Sequence, residues 1–149
     1  MQPSYMKHSP TSSPSSSSLH TSLILRACFA TAALMSGISV ALQAIAAHLP
    51  EAAFSPPHGR DMVHMAANIA LWHGIALCAL TIGAPYLHPL RTRLACVGMM
   101  LGTLLFSISV TLYGLHITSS APPAPFGGSL LILSWLLVAS APFQRRSSS

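Results

Sequence analysis

Between Met62 and Ala84 the chain runs through about 23 residues without one Asp, Glu, Lys or Arg; as an α-helix it would be about 34 Å long, enough to cross the hydrocarbon core of a bilayer. Three more apolar runs accompany it, Leu23–Leu49, Leu94–Ile117 and Phe126–Phe143. Composition closes the alternative of a water-soluble globule. Only 6% of the 149 residues are charged and 52% are hydrophobic, whereas soluble domains carry about 25% charged residues. The expected fold class is therefore an all-α membrane protein, a four-transmembrane-helix bundle, and its first partner is the lipid bilayer.

Helix breakers divide the chain in the same places. Pro50 ends the first run, and Pro56, Pro57 and Gly59 mark a loop that holds both acids, Glu51 and Asp61. Pro85 and Pro89 close the second run, because proline cannot continue the hydrogen-bond ladder. Ala121-Pro122-Pro123 lies in the loop before the fourth. The predicted organisation is a Ser/Pro-rich disordered tail over 1–22, a membrane domain over 23–143 with helices near 23–49, 62–84, 94–117 and 126–143, and a basic, Ser-rich end over 144–149. Arg26 can snorkel back to the interface. Ala44-Ile45-Ala46 has the small-residue pattern of a signal-cleavage site, but the apolar core before it exceeds the about 7–15 residues of a secretory signal, so an uncleaved helix is expected. A start at Met6 or later would spare all four helices.

Seven Lys/Arg against two acids give a net charge of +5. The basic residues stand at the ends of apolar runs, where they set topology, so no nucleic-acid partner is expected. Four spans place Lys7, Arg26, Arg91, Arg93, Arg145 and Arg146 on one side and Arg60 alone on the other. The positive-inside rule then puts both termini in the cytoplasm. Cys28, Cys78 and Cys96 show no paired spacing and fall toward that reducing side, as free thiols would.

Polar residues inside apolar runs carry whatever chemistry exists. His73 sits at the midpoint of the second run, beside Trp72 and expected one helical turn beyond Asn68, and an ionisable group at that depth faces a bundle interior by default. His73, Asn68 and His48 are the candidates for contact with a ligand or a proton; the plain alternative is a neutral histidine that fixes helix packing. Gly98 and Gly102 share one face of the third helix, where a second helix can approach closely. Thr103, Ser107 and Thr111 form a further stripe, and Gly127-Gly128 opens the fourth helix. Gly98, Gly102, Ser107, Gly127 and Gly128 are the predicted packing residues, and the Gly98–Gly102 face is expected to hold an assembly together. No metal and no cofactor is expected; His48, His64 and His116, gathered at the outer face, come nearest to a ligand set. His64 and His73 differ by about 900° of helical rotation and cannot ligate together. Glu51 and Asp61 could form a carboxylate pair, but GxSxG, HExxH and phosphate-loop patterns are missing, so no enzyme is expected.

Four segments in order resemble one family. They are Ala46-Ala47-His48, His73-Gly74-Ile75-Ala76-Leu77, Leu105-Phe106-Ser107-Ile108-Ser109, and Pro125 to Leu137 with Gly127-Gly128 and Trp135. They are similar to the motifs of the domain of unknown function 423 family, which holds the YgdD-type bacterial inner-membrane proteins and the animal transmembrane protein 256. Gln43, Ala46, Ile108 and Ser134 stand where that family carries glycine. The resemblance, over roughly residues 30 to 141, implies a four-helix protein of the bacterial inner membrane without an established activity. The expected function is a structural or interaction module that packs with itself or with other membrane proteins. The alternative is a small-molecule, proton or metal carrier, or redox accessory protein, that uses His73.

Overall fold

The computed structural model describes residues 16–142, and these are almost wholly helical, with no strand among them. The helices are α1 (Ser16–His48), α2 (Gly59–Gly83), α3 (Pro89–Gly114) and α4 (Ala124–Ser140). Short 3₁₀ turns follow α1 at Glu51–Ala53 and α2 at Ala84–Tyr86. Helix α1 begins seven residues before the predicted Leu23, correcting the tail boundary over 16–22. Hydropathy marks where a chain can be buried in lipid, whereas a helix continues until a breaker stops it, and the last proline before α1 is Pro14. The rest of the expected tail, 1–15, and the end, 144–149, lie outside the described residues. Helix α3 likewise starts early, at Pro89, because proline is favoured in a first helical turn.

Three segments are long and apolar enough to cross a membrane: Leu23–His48, Gly59–Tyr86 and Pro89–Gly114. The predicted fourth span is shorter, an apolar helix over Ala124–Ser140. Large apolar side chains cover the outside, among them Leu34 (64% exposed), Ile82 (68%) and Leu136 (62%). Water would not tolerate so continuous an apolar surface, whereas hydrocarbon solvates it.

Helices adjacent in sequence pack against one another, α3 with α4, α1 with α2 and α2 with α3. Helix α1 reaches α3 only lightly, and α1 and α4 share no packed seam. The central pair is thus α2 and α3, flanked by α1 and α4. The main core joins Cys28 and Ala32 of α1, Leu77 and Leu80 of α2, Ala95, Cys96 and Met99 of α3, and Leu131 of α4. Many of these side chains are small, which lets helix backbones approach where no water drives association.

Both ends are tied. At the end holding the acids, the Ser55 amide donates to the Gly114 carbonyl at 2.9 Å, and its hydroxyl to that of Tyr113 at 2.7 Å. At the other end the His88 amide donates to the Ala141 carbonyl at 2.9 Å, and Arg91 to that of Ser140 at 2.6 Å. Arg60, in the first turn of α2, closes α1. Its guanidinium donates to the carbonyls of Ala46 and Leu49 (2.8 Å), pairs with Glu51 at 3.1 Å, and lies 4.4 Å over the Phe54 ring. A helix C-terminus leaves four carbonyls without intrahelical partners and carries partial negative charge, so a cation there meets both needs.

Candidate functional site

Helices α2 and α4 run in the same direction, and they bring His73 and Trp135 together at similar depth. The Trp135 indole nitrogen donates to Nε2 of His73 at 3.2 Å. An indole N–H can only donate, so Nε2 must accept. The ring proton then sits on Nδ1 and is donated to the Ile69 carbonyl at 2.7 Å, one turn earlier in α2. The rings meet edge to face, with centroids 6.1 Å apart. Both nitrogens are spent, and the arrangement suits a neutral imidazole. It joins α2 to α4 at the rim of the helix assembly, not at the centre of a ring of helices. A cavity of about 250 Å³ opens beside the pair, lined by Ile69, His73, Phe106, Leu131, Ile132 and Trp135 with Gly128.

The other predicted contacts do not assemble around His73. Asn68 is exposed and points elsewhere; five residues rotate a helix by about 500°, which leaves it about 140° away from His73. His48 is exposed at the end of α1. Among the described residues no group of three or more His, Cys, Asp or Glu could hold a metal ion, so His48, His64 and His116 do not converge. His116 faces Ser55 instead, with Nδ1 3.3 Å from its hydroxyl, and takes a positive φ of 58° at the end of the α3 turn. The imagined carboxylate pair is also separated: Glu51 binds Arg60, and Asp61 lies 3.7 Å from exposed His58.

The glycine face of α3 has a partner within the chain. A Cβ at Gly98 would lie 2.5 Å from the Ser134 hydroxyl oxygen, and one at Gly102 would lie 3.0 Å from the Gly127 carbonyl and 3.1 Å from Leu131. A Cβ at Gly127 would meet the Phe106 amide nitrogen at 2.6 Å. The face expected to hold an assembly is therefore covered by α4, because a close-approach face states how near a helix comes but not whose it is. Gly128 stands clear, with the Phe106 ring 3.9 Å from a Cβ. Sequence reading missed a second crossing, Gly59 against Gly114, where each Cβ would press the other's carbonyl at 2.5 and 2.7 Å.

Most described hydroxyls inside the helices bond to their own backbone: Ser39 to Met35, Thr103 to Met99 and Ser134 to Leu130, each at 2.7 Å. Such bonds satisfy the hydroxyl without forming a path. Ser107 differs, its buried oxygen having no partner. It lines a groove of about 330 Å³ between α1, α2 and α3, floored by Ala66, Ala67 and Ala70 and walled by Ile38, Leu42, Leu104 and Ile108.

No curated protein and no solved structure matches the chain. A family model described as "Protein of unknown function (DUF423)" matches residues 42–128. That span covers all of α2 and α3, the Arg60 cap, His73, and the Gly102–Gly127 crossing. With more than half of its length matched, including the close-packed centre just described, the chain belongs to the DUF423 family.

Proposed function

We propose that this is a four-helix protein of the bacterial inner membrane, with both termini cytoplasmic, that serves as an interaction module and not as an enzyme or proton carrier. One observation carries the reading: His73, the ionisable group at mid-depth, has both nitrogens engaged, Nε2 by Trp135 of α4 and Nδ1 by the Ile69 carbonyl of its own helix. A carrier site needs a free lone pair or a water path at that point. What remains available to others is the apolar exterior, on which Leu34 of α1 and Leu133 of α4 are exposed. Partners are other membrane proteins or further copies of the chain. Six basic residues against Arg60 support the orientation.

Photocrosslinking residues placed at Leu34 and Leu133 in native membranes test this reading. Discrete protein adducts from at least one position are expected, and lipid-only adducts from both would contradict it. For the orientation, Ser119→Cys is expected to react with an impermeant maleimide from outside intact cells while Arg93→Cys does not; the reverse pattern overturns the assignment.

The cavity beside His73 favours a second reading, a small ligand with an apolar body and one hydrogen-bond donor that takes the place of the indole at Nε2. The two readings differ in the His73→Leu variant. The packing role predicts normal insertion and a stability loss of about 1–2 kcal/mol, measured by unfolding in detergent. Trp135→Phe is expected to cost a similar amount, and the double variant little more than either single, since both remove one interaction.

A further inference from the structure

We propose that the cavity at the basic end of the protein holds the phosphate headgroup of an anionic phospholipid. It has a volume of about 380 Å³ and lies between α1, the Ala84–Tyr86 turn and α3, lined by Leu25, Thr81, Ala84, Leu87, Thr92 and Arg93. The volume falls in the range of small-molecule sites. Arg93 supplies the charge. Its Nε donates to the Pro89 carbonyl at 3.2 Å, which orients the guanidinium. Its terminal nitrogens make no hydrogen bond to any described residue.

Among the described residues no acid stands at this end to neutralise that charge. Arg26 and Arg91 stand at the same end, and the only two acids of the sequence, Glu51 and Asp61, lie at the other. Arg91 is committed to the Ser140 carbonyl, whereas Arg93 opens into the cavity. Helix α3 also begins here without a side-chain cap and without an acid in its first turn, so its positive end adds to the field. Basic pockets between helix ends at a membrane surface suit anionic headgroups. Exposed Leu90 and Leu94, about 60° and 100° round α3 from Arg93 on one side of it, would give the acyl chains an apolar wall outside the cavity. A phosphate bound to Arg93 would therefore keep its chains in the bilayer, which selects a lipid over a soluble anion.

Native mass spectrometry of the full chain in detergent tests this, with phosphatidylglycerol and phosphatidylcholine of identical chains. Phosphatidylglycerol is expected to remain bound and phosphatidylcholine to be lost. Arg93→Gln is expected to lower the retained phosphatidylglycerol about fivefold, the ratio equivalent to the roughly 1 kcal/mol a basic residue contributes near an anionic surface. Ala84→Leu keeps every charge but fills the cavity, and the same loss is expected; Leu87→Phe is the second filler if that variant does not fold. Equal retention of the two lipids overturns the proposal. So does a loss in Arg93→Gln that neither filler reproduces, which would mark a diffuse basic surface. Displacement of the lipid by excess inorganic phosphate would mark a soluble-anion site and also overturn it.

Discussion

Gly127→Leu is expected to separate α4 from α3 and to cost about 3 kcal/mol or more, at the upper end of overpacking effects. A Cβ at this position would lie 2.6 Å from the Phe106 amide nitrogen, 2.9 Å from the Gly102 carbonyl and 3.0 Å from the Phe106 Cα. All three are backbone atoms inside α3. None can rotate away, so relief requires one helix to shift bodily. The shift would also pull Trp135 from His73, since both depend on how α4 sits. Gly128→Leu is the internal control. Its nearest obstacle is a ring atom 3.9 Å away, and a change within about 0.5 kcal/mol is expected. Unfolding of both variants in the same detergent measures the difference. Equal stabilities would show that α4 does not rest on α3 through this crossing.

Arg60→Ala is expected to cost about 2–3 kcal/mol, as loss of charge-assisted hydrogen bonds does. The residue serves two carbonyls at the end of α1, Ala46 and Leu49, and covers the buried Phe54. Phe54 packs with Ala46 and Val63, so loss of the guanidinium exposes one small core as well as the helix end. Glu51 is a lesser partner. Its side chain is largely exposed, and Glu51→Gln is expected to cost under about 1 kcal/mol. Arg60→Lys should fall between the two, because an ammonium retains the charge but not the fork that reaches two carbonyls and a carboxylate together. Hydrogen exchange at Leu49 and the 3₁₀ turn that follows would locate the loss; unchanged exchange there would refute the capping role.

Much of this architecture was legible in the residues. A run without charges from Met62 to Ala84 can be little else than a buried or membrane-crossing helix, and α2 covers it. The prolines marked the breaks correctly to within a few residues. Gly98 and Gly102 announced a close approach, and Ser134 is the residue that meets Gly98. Sequence could not say that the approaching helix is α4, because spacing within one helix carries no information about its neighbour. Pairing His73 with Asn68 failed for a geometric reason, since proximity in sequence was allowed to stand for a shared face. Its true partner, Trp135, was within reach of inference: both lie near the middle of helices that run the same way. The Arg60 cap was not, as it depends on the path of the loop between α1 and α2.

His73, midway along α2, ties that helix to α4 through Trp135. Nitrogen-15 NMR of ¹⁵N-histidine-labelled protein in lipid bilayers at neutral pH tests it most directly, with the His73 signal assigned through the His73→Leu variant. A neutral ring with the proton on Nδ1, an Nε2 that accepts a hydrogen bond, and a change in that Nε2 signal on Trp135→Phe are expected. A doubly protonated ring, a proton on Nε2, or a spectrum indifferent to Trp135 would contradict the tie and return His73 to the role of a ligand or proton site.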